Sequence, residues 1–303
     1  MSKSLRRLAL NTGRSATMRW IGRLSVATIL AVLVAPPRTT KADSQQYSVV
    51  VRVDAKSAGM ISGDIVVRVD HVRVPTTAIY ANPDIPRDIA IVIDAGPDQA
   101  KVLPKEKDLA ITLINQLSDA GTTFSIASVG TPSKMQAATL DRSVAIEHIR
   151  QITQDKGEKK NVPVYDAIGT AIREISVSPD LRVVIFIGEG NDGGSRLRYA
   201  ELRSLAESNH IACFAALLAD HNLRGAKSIL RYGWNLQQLT SDTAGIFLEN
   251  QEALKATQRL SESVRSLRLI RFEMPFRVPG RYKISVFSTQ GKKLRAQKAI
   301  AIP

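Results

Sequence analysis

Within Arg87–Gln99, RDIAIVIDAGPDQ, five apolar residues from Ile89 to Ile93 run directly into Asp94, and Ala95, Gly96 and Pro97 then turn the chain. A carboxylate carried to the tip of a buried strand has three uses: ligating a metal, acting as an acid or base, or capping the turn. Ligands of open parallel sheets collect beyond the carboxyl ends of the strands. Three loops reach such an edge here: the one after Asp94, the one before Tyr165 and the one after Ile187. The third reads IGEGNDGGSR, with Gly188, Gly190 and Gly193 at the spacing of a dinucleotide fingerprint. It comes late in the sheet and leads into a charged loop, whereas the fingerprint opens the first βα unit. The required acid about twenty residues on is also missing, Asp220 standing about thirty away. These departures argue against nicotinamide or flavin binding.

Other chemistries lack their residues. There is no G-x-S-x-G elbow, no phosphate-binding G-x-x-x-x-G-K-[ST] loop and no H-E-x-x-H pair. His71, His148, His210 and His221 show no zinc spacing, and His210 and His221 flank one strand at opposite ends. Cys213, the single cysteine, lies inside HIACFAALLAD. It can form no intrachain disulfide and reads as a small buried hydrophobe.

A sheet must position the three loops, and the pattern from Arg87 onward supplies one. IAIVID, TTFSIASVG, LRVVIFIGEG, HIACFAALLAD and GIFLEN are strand-like. PKEKDLAITLINQLSDAG is a predicted helix, with Pro104 at its start, Gly121 at its end and Leu109, Leu113, Ile114 and Leu117 on one stripe. SVAIEHIRQIT with Ser143 as cap, VPVYDAIGTAIREISV opened by Pro163, RYAELRSLAESN, GWNLQQLTSDTAG and NQEALKATQRLSESVRSL are the further helices. Apolar strands alternating with amphipathic helices imply an α/β fold: a doubly wound, mostly parallel sheet with helices on both faces. Ahead of it, YSVVVRV (Tyr47–Val53) and DIVVRVDHVRV (Asp64–Val74) are separated by Gly59 and Gly63 and read as a hairpin or meander. Pro83 and Pro86 mark a boundary. Behind it, LIRFEMPFRVPGRYKISVFS and KKLRAQKAIAIP return to β alternation around Pro279-Gly280. The two ends together are expected to form a small β appendage. The expected division is 1–42, a signal peptide or anchor; 43–86, a β lead-in; 87–267, the α/β domain; and 268–303, a C-terminal β segment.

Of the 303 residues, 44% are hydrophobic and 23% charged, as in ordinary globular proteins. The net charge is +14, but residues 1–42 hold eight Lys or Arg and no acid, which leaves +6 elsewhere. That distribution speaks against a nucleic-acid partner. The basic start, the apolar run LSVATILAVLVA (Leu24–Ala35) and the small-residue site Thr40-Lys41-Ala42 describe a secretory signal, with translation starting at Met1 or Met18. An uncleaved anchor is the alternative, although the run is short for a bilayer. No Cys follows the run, which excludes a lipid-anchored lipoprotein. The expectation is an exported protein, periplasmic or secreted, touching membrane only through an uncleaved N-terminal segment.

The succession strand-IVID, VPVYDAI, strand-VIFIGEGNDGGSR, after a lead-in ending in Pro86-Arg87-Asp88, resembles the von Willebrand factor A (VWFA) domain as found in secreted bacterial proteins. The resemblance covers about Tyr47 to Ile302. It implies a Rossmann-like VWFA fold and a metal-ion-dependent adhesion site, in which D-x-S-x-S, a Thr and an Asp hold Mg²⁺ that accepts a partner's carboxylate. Asp94 keeps the first carboxylate. Gly96 replaces the first Ser and Asp98 the second, Val162 replaces the Thr, and Glu189 replaces the Asp. The implied site is degenerate, and no resident cofactor is expected. Asp94, Asp98 and Glu189 are the candidate metal ligands, for Mg²⁺ or for Ca²⁺, which tolerates longer and less regular ligands. Without a cation their repulsion raises at least one pKa; otherwise Asp94 caps its turn. The family shares Tyr165-Asp166, which makes Asp166 a support for the loop and the helix dipole.

The function expected is non-enzymatic binding or adhesion to an unknown protein or cell-envelope component. The stretch QDKGEKKNVPV beside the site would favour an acidic partner. One alternative is a structural envelope protein contacting partners through its β appendage, where Arg68 and Arg73 alternate with valines. Another is a hydrolase using Asp94 and Glu189 as acid and base, against which the 5% aromatic content counts.

Overall fold

The structure is a computed structural model, and it describes residues 45–53, 62–81, 85–130, 133–157, 162–175, 181–218, 226–249, 251–274 and 279–302. The expected signal or anchor lies outside these residues, as do Gly59, Pro83, Asp220, His221 and the basic stretch 158–161. Among the described residues no helix is long and apolar enough to cross a membrane.

The lead-in forms β1 (Gln45–Arg52), β2 (Ile65–Val69), β3 (Val72–Val74) and β4 (Thr76–Ala81). The central sheet follows with β5 (Arg87–Asp94), β6 (Thr122–Val129), β7 (Lys134–Thr139), β8 (Leu181–Gly188), β9 (Ala212–Leu217) and β10 (Phe247–Glu249). Its order is β10-β9-β8-β5-β6-β7, and only the β6–β7 pairing is antiparallel. Between the strands run α1 (Leu103–Leu117), α2 (Arg142–Arg150), α3 (Val164–Ile175), α4 (Tyr199–Ser208), α5 (Ala226–Asp242) and α6 (Ala253–Arg265). Ile89, Ile91 and Ile93 share a buried cluster with residues of α1, α2 and α6. Ala90 and Val92 share another with α3, α4 and α5. A strand buried on both sides reads as continuous apolar sequence, which is why β5 and β8 were legible as IAIVI and VVIFI. Each such Ile or Val contributes about 1.5–3 kcal/mol by burial. This mixed α/β layout agrees with the fold that the resemblance implies.

Three local expectations differ. The N-cap of α2 is Asp141, not Ser143: Asp141 has extended backbone, and its carboxylate accepts from the N–H of Ser143 at 2.7 Å and of Val144 at 3.4 Å. Helix α5 begins at Ala226, ahead of Gly233. Strand β7 has no counterpart in the sequence pattern, because KMQAAT is an edge strand with no buried residue and therefore no alternation.

The chain closes with β11 (Leu267–Met274), β12 (Gly280–Ser288), β13 (Arg295–Ala296) and β14 (Ala299–Ile302). These join the lead-in in two four-stranded sheets, β13-β1-β11-β4 and β14-β12-β2-β3. A third buried cluster, including Val49, Val51, Val67, Ile270, Phe272 and Val286, lies between them. The hairpin is not between the two lead-in runs. It sits inside the second, at Asp70-His71, where φ of 44° and 73° form a two-residue turn with both residues left-handed. β1 instead pairs antiparallel with β11 along Gln45–Arg52. Its Val50 and the Leu267 and Leu269 of β11 belong to the same cluster as Ile91, so this sheet is buried on both faces. Residues 41–303 form one compact unit.

Candidate functional site

Asp94 ends β5 with 1% of its surface exposed. Its Oδ1 accepts the Gly96 N–H at 3.0 Å, and the carboxylate also accepts the backbone N–H of Glu189. The side chain thus caps its own turn and ties the first loop to the third. Burial pushes its pKa up to about 6 against those two hydrogen bonds, and the charges of Glu189 and Asp98 add to the rise.

The glycines here permit close approach. A Cβ on Gly188 would stand 2.2 Å from the Asp94 Cβ. One on Gly96 would stand 3.1 Å from Asp94 Oδ1 and 3.3 Å from both methyl groups of Val162. Asp94, Gly96, Val162, Gly188 and Glu189 therefore meet at one edge, and the two positions without hydroxyls face each other. Asp98 is exposed and Glu189 partly so. The loop after Asp94 is pinned from outside by the Asp155 N–H, which donates to the Ala95 carbonyl at 2.7 Å, and by the Gln154 amide donating to the Pro97 carbonyl. Beside it lies a mainly polar cavity of about 470 Å³, bordered by Ala95, Ser128, Lys134, His148, Gln151 and Asp155.

Sequence reasoning missed Glu106. It is fully buried in the first turn of α1, and neither carboxylate oxygen has a hydrogen-bond partner among the described residues. Burial first, then the charges of Asp94 and Glu189, hold its pKa well above the ordinary carboxylate range. The signal was its place on the apolar stripe, in line with Ala110, Leu113 and Leu117.

Asp192 was missed as well. Its Oδ1 accepts the Tyr165 N–H at 3.2 Å and the Ser195 hydroxyl, and the Gly193 and Gly194 N–H groups donate to the Val162 carbonyl at 3.1 and 3.2 Å. Asp166 accepts from the N–H of Arg196 at 3.0 Å and of Leu197 at 2.8 Å. The start of α3 and the third loop thus clasp each other through two aspartates, and Asp166 has the supporting role expected of it. Cys213 is buried with its thiol pushed up to about 12 by burial, and burial likewise lowers His210 to about 4.

The donor set is a poor match to a divalent ion. Val162 methyl groups stand at the hydroxyl position, Gly96 has no side-chain oxygen, its carbonyl accepts the Gln99 N–H at 3.0 Å, and its own N–H occupies Asp94 Oδ1. Among the described residues no group of three or more Asp, Glu, His or Cys side chains is placed to hold an ion. What the edge does hold is acid: three carboxylates and a buried fourth, with two apolar contacts among them.

No known family pattern matches this chain, and no characterised protein matches it in sequence. Among solved structures it is similar to an aerotolerance-related membrane protein of Bacteroides fragilis, at 16% identity over 58% of this chain and 98% of that one, TM-score 0.46. It is similar to BatB of Bacteroides thetaiotaomicron, at 17% over 58% and 96%, TM-score 0.49. It is also similar to three N-terminal domains of the type V pilus tip protein Mfa5 of Porphyromonas gingivalis, at 9% over 85% and 66%, TM-score 0.49. With every TM-score below 0.5, the α/β assignment rests on the strand order and packing described above.

Proposed function

We propose that this protein is an exported, non-enzymatic binding or assembly domain of doubly wound VWFA type, engaging a protein or envelope component through the loops around Asp94 without a bridging metal. In this reading residues 1–42 are the export segment, 87–267 the binding domain, and 43–86 with 268–303 its β support. The observation that carries it is the closed first loop: Asp94 spends its oxygens on the Gly96 and Glu189 N–H groups, while Val162 fills the space beside Gly96. Recognition in this reading uses the shape of the loops, with Asp98 exposed and Glu189 partly exposed on them. The hydrolase alternative gains nothing from a carboxylate that is 1% exposed.

The test is calorimetric titration of residues 43–303 with Mg²⁺, Mn²⁺ and Ca²⁺, with Asp94→Ala alongside. No saturable heat is expected from any ion. Saturable binding that disappears in the variant would restore a metal-bridged mechanism and sink this one.

One observation favours a second reading, contact through the β appendage. Strand β3 is an edge strand with Val72 58% exposed, and Arg73 lies opposite Arg68 of β2. Asp98→Ala with Glu189→Ala should abolish partner capture on the first reading. Val72→Lys should abolish it on the second.

A further inference from the structure

Two clefts adjoin at the opposite end of the central sheet, where the strands begin. One, of about 870 Å³, lies between the end of α5, β10 and the strands β12 and β13; the other, of about 780 Å³, lies between α6, the end of β1 and the turn before β13. Among the described residues, seven Lys or Arg line each cleft, three of them shared, against a single acid in each, Asp242 and Glu262. Part of that charge is matched: Arg281 and Arg203 face Glu207, and Arg203 and Lys298 face Asp242. The shared three, Arg259, Lys293 and Arg295, form no ion pair among the described residues, nor does Arg52 beside them. The Arg52 side chain donates to the Gly245 carbonyl at 2.9 Å. Burial, then Arg295 and Arg259, hold its pKa down to about 10, so these guanidinium groups crowd one another at a cost that a bound anion would remove.

We propose that this double cleft docks an acidic polypeptide segment of a partner protein, whose carboxylates meet Arg52, Arg259 and Arg295. Arginine forks bind carboxylates bidentately. The floor is apolar, with Ile246 and Leu294 in both clefts, which suits the apolar side chains between the segment's acids. Among the described residues Phe247 is the one aromatic lining residue, which disfavours stacking of sugars or single-stranded nucleic acid.

The experiment is fluorescence anisotropy of the full chain with a short labelled peptide alternating Glu and Val. Arg52→Gln/Arg259→Gln/Arg295→Gln should weaken binding at least about tenfold. Arg142→Gln/Arg150→Gln/Arg173→Gln, with the same charge change elsewhere, should leave it unchanged, and unfolding curves establish that both variants are folded. The proposal is overturned if the wild-type chain does not bind the peptide, if both triple variants lose binding equally, or if single-stranded DNA or dextran sulfate binds more tightly with the same dependence on Arg52, Arg259 and Arg295.

Discussion

Asp94 and Glu106 are acids held in a place that disfavours their charge, and pH reads that out. A carboxyl whose folded pKa is raised keeps its proton in the folded state after the unfolded chain has lost it. The unfolded state then binds fewer protons, so stability falls as pH rises between the two values. For Asp94, moved from 3.8 to about 6, stability should decline between about pH 4 and pH 6, by on the order of 3 kcal/mol, and Asp94→Asn should flatten that decline. Urea denaturation at a series of pH values measures it, and a rise in stability over that range would contradict the burial. Glu106→Gln should be close to neutral at pH 4 and stabilising at pH 8, where the native acid must ionise beside Asp94 and Glu189 or remain protonated at a cost. At this scale Asp94, Gly96 and Val162 were legible in sequence because a motif spaces them. Glu106 was not, because a lone acid on an apolar stripe looks like a solvated first-turn residue until its burial is known.

At the scale of elements, the third loop is held to α3 by Asp166 and Asp192. Asp166→Ala leaves the Arg196 and Leu197 N–H groups without their acceptor, a loss of about 1–2 kcal/mol, and limited proteolysis should cut first near Ser195–Arg198. Protection of that loop in the variant would mean that the clasp is not what orders it. Asp141→Ala should cost about 1 kcal/mol through the lost cap of α2, whereas Ser143→Ala should cost little. Helices and central strands were readable because amphipathic period and two-sided burial leave marks in the residues. Strand β7 was not, since its pairing is decided by the backbone edge of β6 and not by its own side chains.

Over the whole molecule, the α/β sheet and the β strands from both ends share the apolar cluster of Ile91, Val50 and Leu267, and polar contacts between α4 and β12 add to it. Glu207 on α4 is fully buried and receives both arms of Arg281, at 2.7 and 2.6 Å. Arg281→Met leaves that carboxylate with only the distant Arg203, and a loss of about 3 kcal/mol in chemical denaturation is expected. Gly245→Ala should be at least as damaging, because a Cβ there would lie 1.7 Å from the Cys213 carbonyl oxygen, a backbone atom that cannot step aside.

The amino-acid sequence by itself determined the α/β alternation, the placing of Asp94 at a strand tip and the absence of hydroxyls at positions 96 and 162, because these depend on local pattern and residue type. Only the tertiary structure decided which strands the two chain ends pair with, that Glu106 lies against the carboxylates, and that Arg52, Arg259 and Arg295 stand together. Each of those facts joins residues far apart in the chain, and such contacts are set by the packing of whole elements, which no local period records.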